Sequence, residues 1–135
     1  MLAGDDHAHP TACACRWQLT FDDAIPANEL NSRVALLLSE LTSGLQEDGG
    51  RLIGHIKGLV EADEKGHLLF SITSFEEAAR FKGELVGEIT EAALTINVIA
   101  YGIEEARVEE VLEGAFSRHF HGGRSRDDGG ERHAQ

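Results

Sequence analysis

The segment "AALTINVIAYGI", residues 92–103, sets Leu94, Ile96, Val98 and Ala100 against Thr95, Asn97, Ile99 and Tyr101. A two-residue period is that of a strand with one face in a core, so a chain holding it must build a sheet and cover one side. Three other stretches share the period. In "CACRWQLTFD", residues 13–22, Cys15, Trp17, Leu19 and Phe21 oppose Arg16, Gln18 and Thr20. In "RLIGHIKGLVEAD", residues 51–63, Leu52, Gly54, Ile56, Gly58, Val60 and Ala62 oppose Arg51, Ile53, His55, Lys57, Leu59 and Glu61. A turn around Asp63 to Gly66 then leads to a strand in which Leu68, Phe70 and Ile72 oppose His67, Leu69, Ser71 and Thr73, which predicts a hairpin.

The cover for the sheet comes from segments of a different period. Leu30, Val34, Leu37, Leu41 and Leu45 fall on one side of a helix that Pro26 starts and Gly49-Gly50 ends. Val108, Val111, Leu112, Ala115 and Phe116 give a closing helix the same kind of stripe. Ser74 followed by Glu77 matches a capping box and predicts a helix over "FEEAARFK", residues 75–82. Beyond Gly83, "ELVGEI" reads equally as helix or as a short edge strand. The order strand, helix, strand, strand, helix, strand, helix is that of a ferredoxin-like split β-α-β sandwich, an α+β fold, with an extra C-terminal helix. Residues 1–12 read as a flexible leader containing histidines, 13–120 as a single domain and 121–135 as a disordered tail.

Charge excludes one class of partner. With 12 Lys and Arg against 24 Asp and Glu the net charge is −12, whereas nucleic-acid binding draws its affinity from cations that displace counterions from phosphate. No apolar run is long enough to span a bilayer, and the acidic "MLAGDDHAHP" lacks the basic region of a secretory signal, so neither membrane nor export is expected and residence is expected to be cytoplasmic.

Two constellations carry chemistry. "HAHPTACAC" holds His7, His9, Cys13 and Cys15, imidazoles and thiolates of the kind that ligate Zn²⁺. On the hairpin, His55, Lys57, Ser71 and Thr73 share one face as a site for a small anion or an acidic partner, while Leu59 and Ile99 on that face point to partner contact or a homodimer. No serine or cysteine has an evident adjacent base, and acidic pairs such as Glu104-Glu105 lie where helix starts put them, so no catalytic set is assigned.

The strand "HIKGLVEAD" followed by "LTINVIAYGIEEARVEEVLEGAF" resembles the C-terminal domain of the CobW family of P-loop GTPases and metallochaperones, at Lys57-Gly58 and at Tyr101-Gly102 leading into the last helix. Where that family's pattern has an arginine near His55, this chain has histidine. The phosphate-binding "GxxxxGK[ST]" loop of the full-length relatives is absent. The resemblance implies a non-catalytic accessory domain linked to metal or cobalamin handling, whose partner is a protein such as a P-loop GTPase or a metalloenzyme. Two alternatives stand beside it: an autonomous metal-binding protein using the His/Cys cluster, and a small enzyme acting on an anion at His55 and Lys57.

Overall fold

The computed structural model describes residues 9–120 and 124–127. Along the chain these form β1 (Thr11–Pro26), α1 (Ala27–Glu47), β2 (Leu52–Glu61), β3 (Gly66–Ile72), β4 (Arg80–Leu85), β5 (Glu88–Tyr101), α2 (Glu105–Phe120) and β6 (Arg124–Asp127). The strands make one sheet in the order β4-β3-β2-β5-β1-β6, with each neighbouring pair antiparallel. Because β5 lies between β1 and β2, the β1-α1-β2 crossover is split by an antiparallel strand. The fold is α+β and contains the split β-α-β unit of a ferredoxin-like sandwich.

Both helices lie on one side of the sheet, and the side-chain periods explain why. Leu30, Val34, Leu37, Leu41 and Leu45 are buried along α1, as their spacing predicts. The helix stops where Gly49 takes φ 105° and the Gly50 N–H donates to the Leu45 carbonyl at 2.8 Å, a conformation that needs no side chain at Gly49. From α2, the Phe116 ring stacks on Trp17 of β1 with centroids 4.3 Å apart and planes 8° from parallel, and Phe120 extends the stack at 5.3 Å. Trp17 and Phe116 are both fully buried, so this aromatic column closes the α2 end of the core.

Polar contacts tie the two helices together at their rims. Glu40 of α1 accepts from Arg118 Nε at 2.6 Å and pairs with His119 Nε2 at 2.9 Å, both from α2. Asp48 accepts from Arg107 at 2.7 Å at the opposite end of the helix pair. Hydrogen bonding from Arg118 holds the Glu40 carboxyl below its ordinary value against the opposing effect of burial, and the hydrogen bond with His119 adds a lesser lowering.

Two features depart from the alternation read in the sequence. The expected helix over 75–82 is not formed: the Ser74 carbonyl accepts from the Glu77 N–H at 3.4 Å in a single turn, and Arg80–Leu85 then pair with β3 as an edge strand. Gly83 and Gly87 have φ of 96° and 75°, outside the helical region, and Phe81 sits opposite Phe70 with ring centroids 6.4 Å apart. Pairing with β3 therefore outweighs a capping box followed by glycines. In β2, the register against β5 shifts between Ile53 and His55, and the bulge at Gly54 turns Ile53 to the helix side, where it is buried; simple alternation sets it on the opposite face. In the span expected to be a disordered tail, Arg124–Asp127 pair with β1 as β6.

Two outcomes follow from this packing. Phe116→Ala removes the centre of the aromatic column and should cost about 3–5 kcal/mol in a denaturant titration. Glu40→Gln should lower stability by no more than ~1 kcal/mol at pH 7, since its principal partner Arg118 is largely solvent-exposed. A carboxyl whose folded pKa is depressed stabilises the fold above its unfolded pKa and loses that contribution as pH falls through the folded value. The gap between parent and Glu40→Gln should therefore close in acid, as followed by thermal melts from pH 7 downwards.

Candidate functional site on the open sheet face

The sheet face away from the helices carries cross-strand rows that the registers define. One row reads Arg80 (β4), Ser71 (β3), Lys57 (β2), Asn97 (β5) and Ala14 (β1). The next reads Lys82, Leu69, Leu59, Thr95 and Arg16. A third reads Glu84, His67, Glu61, Ala93 and Gln18. The first two rows place Lys57, Arg80 and Lys82 around Leu69 and Ser71.

A hollow of about 450 Å³ lies there, lined by Lys57, Gly58, Leu69, Phe70, Ser71, Arg80, Phe81 and Lys82. Among the described residues its lining includes three cations and no carboxylate. Toward β1 the same face changes sign: a smaller hollow of about 190 Å³ is bordered by Glu61, Asp63 and Glu91 with Arg16 and Gln18. A net charge of −12 is thus distributed so that the β4 end of the sheet keeps the cations together. An anionic group of modest size would be attracted to the first hollow and repelled by the second.

Gly58 shapes the sheet beneath the hollow. A Cβ at this position would lie 2.2 Å from the Thr95 carbonyl oxygen and 2.3 Å from Phe70 Cζ, so only glycine lets the Phe70 ring lie across β2. The Lys57-Gly58 pair therefore has a packing role in its second residue and an exposed cation in its first.

Of the four residues expected to bind an anion or partner, Lys57 and Ser71 are direct cross-strand neighbours in the hollow. His55 lies two positions along the same face, half-buried and paired with Ile99, outside the lining. Thr73 lies past the end of β3, where its hydroxyl donates to Glu77 at 3.3 Å. Arg80 and Lys82, which complete the cationic ring, fall in the segment expected to be helical, so the sequence reading did not join them to Lys57. Their two-residue spacing was the available signal for a strand face, outweighed there by the capping box.

The proposed metal ligands among the described residues are His9, Cys13 and Cys15, and none of them lines this hollow. Cys13 and Cys15 are reduced and buried on the helix-facing side of β1, in line with Trp17, and His9 is exposed at the start of the described chain. His7 lies outside the described residues. Among the described residues, no three His, Cys, Asp or Glu side chains come together as a metal site. No helix among them is long and apolar enough to cross a membrane.

An α+β domain with a helix-covered face and a charged open face is the class that these elements define. No family model matches the chain, and no curated protein matches it. Among solved structures it is similar to the Zn(II)-bound YjiA GTPase from E. coli, with 15% identity and a TM-score of 0.37. A Zn(II)-bound triple mutant of YjiA matches with 17% identity and a TM-score of 0.39. Each match covers 78% of this chain and 29% of the other, so the chain spans less than a third of the length of these GTPases.

The glycine generates a direct test. Gly58→Ala should lower stability by about 1–3 kcal/mol through overpacking and shift the Phe70 ring resonances, whereas Lys57→Ala beside it should stay within about 0.5 kcal/mol of the parent in the same denaturant titration.

Proposed function

We propose that this chain is a non-catalytic accessory domain that works by protein contact, and that its contact surface is the cationic hollow on the open sheet face. The observation that carries the reading is the grouping of Lys57, Arg80 and Lys82 around Ser71 and Leu69, with no carboxylate in the lining among the described residues, in a chain of net charge −12. The partner chemistry that fits is an acidic protein segment. Carboxylates meet guanidinium and ammonium donors there, the Ser71 hydroxyl adds a neutral donor, and Leu69 supplies an apolar floor.

The resemblance of Lys57-Gly58 and Tyr101-Gly102 to the CobW C-terminal pattern supplies the setting for this reading: a domain that accompanies a P-loop GTPase or a metalloenzyme in metal or cobalamin handling. The domain itself contributes recognition and no chemical step. Short-range attraction at the hollow, with repulsion around the Glu61, Asp63 and Glu91 hollow, would hold the partner's acidic segment at the β4 end of the sheet.

Titration with an oligoglutamate of about ten residues, followed by amide resonances, provides the test. Shifts should concentrate at Lys57, Leu69, Ser71, Arg80 and Lys82, weaken as salt is raised, and fall about tenfold in apparent affinity in the Lys57→Glu/Lys82→Glu variant. Shifts spread evenly over the surface, or unchanged by the double charge reversal, would reject the hollow as the contact surface.

A further inference from the structure

The outermost strand of the sheet at the cationic end is β4, and half of its main-chain N–H and C=O groups point away from β3. Its side chains present different chemistry on the two sheet faces. On the open face are Arg80, Lys82 and Glu84, cross-strand from Ser71, Leu69 and His67. On the helix face is Phe81, beside a hollow of about 380 Å³ that Asn31, Ser32, Ala35, Leu68 and Gly83 also line. A second hollow of about 360 Å³ continues from Phe81 past Ala35 and Leu38 to Phe75.

Exposed apolar groups gather at the same place. Of the four large hydrophobic residues exposed among the described residues, Phe81 is in β4, Val86 follows it directly and Leu69 is cross-strand from Lys82; the fourth, Leu36, neighbours Ala35 in α1. Phe81 is 43% exposed although its cross-strand partner Phe70 is buried.

We propose that β4 is the docking edge for an extended segment of a partner protein, which adds to the sheet as a seventh strand. This deepens the assignment of the cationic hollow as the contact surface and rests on it. The open edge supplies main-chain hydrogen bonds, and the alternating faces set the sequence that fits. Residues of the added strand opposite Arg80 and Lys82 are acidic, and the one opposite Glu84 is basic, since facing charges on neighbouring strands contribute directly to pairing. The residues between them turn toward the Phe81 hollows and are apolar. Running antiparallel to β4, as the rest of the sheet runs, the segment reads Lys-Val-Glu-Val-Glu or a close equivalent. A second copy of β4 matches this edge less well, because antiparallel self-pairing centred on Lys82 sets Lys82 against its own twin.

The full chain is titrated with the capped peptide Ser-Lys-Val-Glu-Val-Glu-Ser, with a permuted peptide Ser-Lys-Glu-Glu-Val-Val-Ser of identical composition, and with the first peptide methylated at every backbone nitrogen. The alternating peptide should bind at least tenfold more tightly than either control and slow amide exchange between Arg80 and Leu85. Lys82→Glu should abolish that preference and Lys82→Arg should retain it. Equal binding of all three peptides at the hollow would overturn strand addition while leaving the cationic contact surface in place. Absence of shifts at Lys57, Arg80 and Lys82 with every peptide would remove both. A concentration-dependent dimer in sedimentation, lost in Arg80→Glu, would assign the edge to self-pairing and overturn the proposal.

Discussion

The structure depends on one insertion: β5 lies between β1 and β2 and pairs with both along most of its length. The β1-α1-β2 crossover leaves room for one strand between its two parallel members, and β5 fills it with antiparallel ladders on both edges. Its helix-facing Leu94, Ile96, Val98 and Ala100 are fully buried beneath the helices. Strands β3 and β4 are added outward from β2, and β6 from β1, so every register on the open face is counted from β5. A slip of one residue in this strand would send four core side chains to solvent, which is why its alternation is the strongest pattern in the chain.

That register also sorts charge. Each open-face row runs from β4 to β1, and because the antiparallel pairing is continuous, Arg80 and Lys82 from late in the hairpin region come beside Lys57. Glu61, at the C-terminal end of β2, lies instead in the second hollow with Asp63 and Glu91. The result is a sheet surface with a positive margin on a negative molecule. At short range the margin attracts carboxylates even though the molecule as a whole repels them, because screening in physiological salt confines exposed charges to a neighbourhood of about 8 Å.

Legibility in the sequence followed how local each interaction is. The α1 stripe from Leu30 to Leu45, the β2-β3 hairpin, β5 and α2 were all visible as periods, because each buries one continuous face. Ile53 was misplaced because the bulge at Gly54 reverses side-chain direction without any change in composition. Residues 75–82 were read as helix on a capping box of two residues, yet strand pairing of Phe81 with Phe70 and the positive φ of Gly83 favour β4. With that error the candidate site was half legible: Lys57 and Ser71 could be joined across a predicted hairpin, but Arg80 and Lys82 could not.

By itself the sequence determined the α+β class, the helix stripes, the faces of the longer strands and the excess of acid over base, since these depend on residues within a few positions of one another. Only the tertiary structure decided which edge β4 occupies and that Lys57, Arg80 and Lys82 meet in one hollow. Edge pairing has no local period of its own. It forms when a neighbouring strand, here β3, presents unpaired main-chain groups at the right register, and that register is counted through β2 from β5, which comes later in the chain.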